Sequence, residues 1–241
     1  MQYQISPLTA DDAEGMLKCN IAAFADDALH QAFFPKELEH LVPDAEFWQW
    51  RIAKQKKHIT DPESVGFKVH PVGQPEVLVG YARWFKPGAT ARKKAADAAA
   101  RQTCETNGEV HAAAAPNLES HGVEAAAAAD QTSPRCNNEL LEDFMQTLGA
   151  KAEEIWGNEA EYWTLHAFAV HPEHQGHGLA RRMMQWGFDK ADEDGLPIYL
   201  EASPAGDPVY IHFGFKPVGQ IEMLEGKETC RVMIRQPRKK A

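Results

Sequence analysis

The chain lacks the features that would place it in a membrane, in an oxidising compartment or on nucleic acid. None of its 241 residues falls in an apolar run of roughly 18, so no segment suits a bilayer-crossing helix. Its first residues, Met1-Gln2-Tyr3-Gln4, lack the charged-then-apolar order of a secretory leader. Cysteine is scarce. Cys19, Cys104, Cys136 and Cys230 stand far apart, which argues against a zinc knuckle and a disulfide scaffold. These absences fit a reducing, cytoplasmic setting. Positive charge is in deficit: 25 Lys and Arg stand against 35 Asp and Glu, and no basic patch suited to nucleic acid dominates. The short basic cluster of Arg235, Arg238, Lys239 and Lys240 reads as a solvated tail.

What is present suits one sizeable core. Tyr3 and Ile5 alternate with polar neighbours and predict a short strand ending at Pro7. Thr9 is placed to cap a helix starting at Ala10, with Asp11 and Asp12 in its first turn. Apolar positions through Phe24 then recur at helical spacing. A second short helix is predicted through Leu29 and Phe33, stopping at Pro35. A third runs from Asp44 to about Ile59 and is broken by Asp61-Pro62. Val65–Val69 and Val77–Phe85 read as two strands of a hairpin.

Residues 87 to about 135 depart from this pattern. Alanine runs at 112–115 and 125–129 replace nearly all large apolar side chains. Alanine favours helix locally but buries too little surface to hold a packed element. The segment reads as a largely flexible insertion in a single domain spanning 1–241. Helical pattern returns over Asn138–Trp156. An apolar strand follows at about 162–170, then a Gly-bearing loop, then a helix stopping at Gly195. Strand 198–202, a short helix around 208–213 and a last hairpin complete the chain.

The loop carries the chemistry. A strand, a Gly-bearing turn and a helix start present backbone N–H groups without partners at the positive end of a helix dipole. Gly176 and Gly178, lacking Cβ, let a bulky anion approach the backbone, and pyrophosphate is the natural guest. No Gly-Lys-Ser/Thr follows, and the spacing is not that of a dinucleotide fold. What stands here is Gln-x-x-Gly-x-Ala, from Gln175 through Gly178 to Ala180. It resembles the acyl-CoA signature of the GNAT acyltransferase superfamily. Ala169-Val170-His171-Pro172 before it and Tyr210-Ile211-His212-Phe213-Gly214-Phe215 after it are similar to flanking elements of that superfamily. The overall style looks like fungal GNAT proteins with small-molecule acceptors.

The resemblance implies a mixed α/β fold: a mostly antiparallel twisted sheet with a splayed cofactor strand and flanking helices. It also implies acetyl-CoA as cofactor. The backbone of Phe168, Ala169 and Val170 would pair with the pantetheine arm. Gln175, Gly176, His177, Gly178, Leu179 and Ala180 would wrap the diphosphate. Of Arg181 and Arg182 one would meet a phosphate, and we assign Arg181. Ser203 either bonds the pantetheine or closes a strand-end turn. Tyr210 aligns with the tyrosine that protonates the leaving thiolate, the alternative being a ring packed under the cofactor. His166 stands where many members carry a glutamate base, with a structural histidine as the alternative. Glu201 is the second candidate for the base or an acceptor contact. Phe24, Phe33 and Phe34 either line an acceptor pocket or pack in the core.

His171, His174 and His177 recur every third residue, but they sit in a turn expected to wrap phosphate, and no metal is expected. The expected activity is acetyl transfer to a primary amine of a small molecule, without nucleic-acid or membrane partners. Peptide N-acetylation and a non-catalytic acyl-CoA sensor are the rivals.

Overall fold

The computed structural model describes residues 2–92, 132–157 and 161–238. Most of the expected alanine-rich insertion, residues 93–131, lies outside the described residues. Its flanks are packed rather than loose. Ser133, Arg135 and Cys136 are buried, and the Asn137 N–H donates to the Phe33 carbonyl at 2.9 Å. Arg135 lies over the Phe47 ring and bonds the Asp44 carboxylate at 2.7 Å.

Seven strands form one sheet in the order β1-β2-β3-β4-β5-β7-β6. They are β1 (Tyr3–Pro7), β2 (Ser64–Pro71), β3 (Gly80–Phe85), β4 (Trp163–Val170), β5 (Ile198–Ala202), β6 (Lys216–Met223) and β7 (Glu228–Arg235). Every neighbouring pair is antiparallel except β4 and β5. The helices are α1 (Ala13–Ala23), α2 (Ala28–Phe33), α3 (Asp44–Ile59), α4 (Asn138–Trp156), α5 (Leu179–Asp194) and α6 (Asp207–His212). The first helical segment begins at Ala10 with Thr9 as its N-cap, as the sequence predicts, but its first turn is not yet α-helical. Residues Ala10–Asp12 form a tight 3-10 turn before α1. The Asp12 carboxylate reaches back to this cap, accepting from both the backbone N–H and the hydroxyl of Thr9.

The sheet is covered on both faces. The period of two along a strand sends alternate side chains to opposite layers. Ala82 and Trp84 of β3 and Ile198 and Leu200 of β5 pack with Met183, Met184 and Phe188 of α5. Tyr81 meets Met16 and Cys19 of α1 on the other face. There too Tyr199, Val232 and Ile234 meet Leu140, Phe144 and Leu148 of α4.

In β4 the alternation breaks once. Ala167 and Ala169 share the α1 face, whereas Trp163 and Leu165 share the α5 face. Arg83 pairs with Ala167 and Trp84 with Leu165, so His166 is an extra residue in the ladder. This bulge lets both halves of β4 bury apolar side chains although their parity differs.

Gly187 sits inside α5, where glycine normally weakens a helix. A Cβ there would come within 2.3 Å of the Trp84 ring, and Trp84 is fully buried. The glycine lets the helix close on the sheet. Gly187→Ala should therefore destabilise the protein by about 1–3 kcal/mol despite alanine's helix propensity. Urea unfolding tests this, and a gain in stability would mean that Trp84 has a second packing open to it.

Candidate active site

Strands β4 and β5 are paired only at Trp163–Ile198 and Thr164–Tyr199. Beyond those positions they diverge, so the β5-facing edge of residues 165–170 has no ladder partner in the sheet. The opening continues into a cavity of about 730 Å³. Its walls are the end of α1, the end of β4, the loop 172–180, and residues 203–210 with Tyr210.

The loop closes one end of this cavity. The first backbone donor of the helix proper is Arg182, whose N–H reaches the Gly178 carbonyl at 3.3 Å. The N–H groups just before it precede any intrahelical acceptor. Gly176 and Gly178 have φ of +77° and +71°, and a Cβ on either would meet nothing within 4 Å. Glycine is needed there for the left-handed backbone, and the space beside it is open. Gln175 turns inward, its Nε2 donating to the Val170 carbonyl at 3.2 Å. The loop is braced from β1, where the Tyr3 hydroxyl and His174 Nδ1 are hydrogen-bonded at 2.9 Å.

A second cavity of about 270 Å³ lies on the α1 and α4 face of the same opening. Phe24, Asp27, Phe168, Ser203 and Tyr210 line both cavities, so the two meet at the splay. His166, Glu201 and Phe33 line the smaller one. Burial pushes the Glu201 carboxyl up to about 7 and the Tyr210 phenol above its ordinary value. Burial, reinforced by the Arg51 guanidinium, pushes His30 down to about 4, so it is neutral at neutral pH. His166 is exposed on its open side and packs against Phe85, with ring centroids 4.4 Å apart.

Most of the sequence-predicted site residues are brought together. Phe168, Ala169, Val170, Gln175, Gly176, Gly178, Leu179, Ala180, Ser203 and Tyr210 all line the larger cavity. Three residues are not where the sequence reading put them. Phe34 lines neither cavity; it turns away under Arg51, whose guanidinium lies 4.3 Å from its ring. Arg181 lines a separate surface groove with Asp189 and Asp192. The His177 side chain folds back on the loop, its Nδ1 bonding the Gln175 carbonyl at 2.9 Å. Asp27 was not a site candidate from the sequence, although Asp26-Asp27 marks the break after the first helix. It caps α2 by accepting the His30 N–H at 2.8 Å.

Among the described residues, ligand atoms of His171, Glu173 and His174 lie within 4.8 Å of one another, a group that could hold a metal ion. His177 is not part of it. No helix among the described residues is long and apolar enough to cross a membrane.

Residues 142–217 match the family model of the acetyltransferase (GNAT) domain. That segment, about a third of the chain, is similar to the GNAT acetyltransferase domain. The chain is 33% identical over 102 residues to an uncharacterized N-acetyltransferase of Schizosaccharomyces pombe, a match covering 41% of each chain. The match thus spans about two-fifths of that relative's length. Among solved structures, the histone acetyltransferase HPA2 and related acetyltransferase from Corynebacterium glutamicum superimposes with TM-score 0.54. It shares 18% identity, and the match covers 100% of this chain and 99% of that one. An agmatine N-acetyltransferase mutant also gives TM-score 0.54, at 10% identity over 98% of this chain and 100% of that one. At such identities the likeness concerns the fold.

The unusual acidity of Glu201 is measurable apart from any activity. Carbon-13 NMR of labelled glutamate should show a carboxyl titrating near 7, absent from Glu201→Gln. A carboxyl raised in the folded state opposes folding once ionised. Glu201→Gln should then be more stable than the parent at about pH 8 and equally stable at about pH 4.

Proposed function

We propose that the protein is an acetyl-CoA-dependent N-acetyltransferase acting on the primary amine of a small molecule. The observation that carries this reading is the meeting of two cavities at the β4–β5 splay, one ending at the glycine loop and one at Glu201. The larger cavity fits the cofactor's parts. The splay leaves unpaired strand edge for an amide-bearing arm, and the loop leaves open space beside Gly176 and Gly178 for a diphosphate.

Acetyl-CoA supplies an acetyl group already activated as a thioester. The chain's own groups then hold the donor and acceptor arms at the splay and move two protons. Glu201 takes a proton from the incoming amine. Its carboxyl, near 7, is split between its two forms at neutral pH, as a base in this range should be. Tyr210, kept protonated by burial, donates its hydroxyl proton to the departing sulfur. The unpaired backbone N–H groups near the end of β4 polarise the acyl carbonyl. His166, the alternative base, lines the acceptor cavity from its bulge but keeps an exposed side where its proton reaches solvent. The aromatic lining and small volume of this cavity, about 270 Å³, favour a compact acceptor over an extended peptide.

Calorimetry with acetyl-CoA tests the cofactor. Gly178→Asp strains the left-handed backbone and adds a like charge at the loop, so affinity should fall by roughly tenfold or more. Gly195→Asp imposes a similar strain, at φ +69° on the other end of α5, and should leave affinity unchanged. Equal affinity in both variants would remove the loop from the binding site.

The two proton roles separate by pH. With Glu201 as base, kcat/KM should rise as pH passes about 7 and the carboxyl ionises. Glu201→Gln should abolish that rise and lower the rate by roughly 100-fold. Retention of the rise in Glu201→Gln and its loss in His166→Gln would transfer the base to His166. Tyr210→Phe should lower kcat with little change in KM.

A further inference from the structure

We infer that the acceptor is a primary amine with an apolar, aromatic-sized body and no carboxylate of its own. The inference rests on the transfer reading above and names the substrate class for that same site.

The walls of the smaller cavity set this choice. Its volume, about 270 Å³, holds a compact molecule rather than a long chain. Phe33 and Phe144 form one wall, with ring centroids 5.3 Å apart and tilted by 55°. Phe24 and Phe168 continue that apolar lining toward the splay. Such a wall recognises an aryl or branched alkyl group by area, and leaves an extended polar chain without partners.

The charges point the same way. Among the described residues lining this cavity there is no lysine or arginine. Asp27 and Glu201 both line it, and His30 is held neutral. Arg51 is 3.5 Å from His30 Nε2 and lies over the Phe34 ring, outside the cavity lining. An ammonium entering the cavity therefore finds carboxylates. A carboxylate entering it finds Asp27 and the partly ionised Glu201, with no lysine or arginine to pair with, which is unfavourable in a partly dry site. An α-amino acid would be refused where the corresponding decarboxylated amine is accepted.

The matched pair of 2-phenylethylamine and phenylalanine tests this, with ethylamine and a short peptide beside them. Binding is read by calorimetry on the CoA-saturated protein, and kcat/KM by thiol release from acetyl-CoA. Phenylethylamine should exceed phenylalanine by roughly 100-fold or more in both readouts. Asp27→Asn keeps an oxygen to cap α2 but removes a charge, and should narrow that gap by roughly tenfold. Phe33→Ala should lower the phenylethylamine-to-ethylamine ratio by roughly tenfold. Phe33→Leu, which fills more of the space, should restore part of it and guards against a folding failure. Phenylalanine or the peptide used as well as phenylethylamine would overturn the inference while leaving acetyl transfer intact. Acetyl-CoA binding with no transfer to any amine would overturn the transfer reading and this inference together.

Discussion

Strands β4 and β5 run parallel, begin together and then separate. Everything proposed for this molecule depends on that separation. A sheet interior normally consumes all its backbone donors and acceptors, leaving nothing for a ligand. Here the ladder stops after two residue pairs, and the edge of β4 is left to face a cavity. The divergence is held from both sides. Strand β4 stays paired to β3 on both sides of the His166 bulge, and β5 stays paired to β7 from Ile198 to Ala202. Helix α5 packs beneath the junction of the two, through Met183, Met184 and Phe188.

The bulge at His166 is the second consequence of packing both halves of β4. Its two halves bury side chains of opposite parity, and one bulged residue reconciles them. That residue falls where the smaller cavity opens. The same constraint that satisfies the core therefore delivers a titratable side chain to the site. Glu201 arrives by a simpler route. It lies on β5 two residues after Tyr199, on the face that α4 covers. The cover removes water from its carboxyl and raises its proton affinity.

Much of the chain was legible without coordinates because it rests on local rules. Helix α3 follows from apolar spacing between Pro43 and Asp61-Pro62, and the structure places it at Asp44–Ile59. Gly195 ends α5 with φ +69°, as a left-handed C-terminal glycine should. The loop from Gln175 to Ala180 was recognisable because a glycine pattern records backbone conformation directly. The misplaced residues share a different cause. Phe34 and Arg181 sit on helix ends where a rotation of one position changes the surface they meet. The loop flank at 133–137 is polar in sequence, yet Arg135 is buried by stacking on Phe47 from a helix about ninety residues away.

The sequence by itself determined the order of elements and the glycine-dependent turn of the loop, because each is encoded by neighbours in the chain, while the candidacy of Tyr210 and His166 rested on the family resemblance. Only the tertiary structure decided that β4 and β5 part, that Asp27 and Glu201 line one cavity and that Arg51 lies over Phe34 outside it. Those facts come from side chains far apart in sequence competing for the same buried space, and no local pattern records the outcome of that competition.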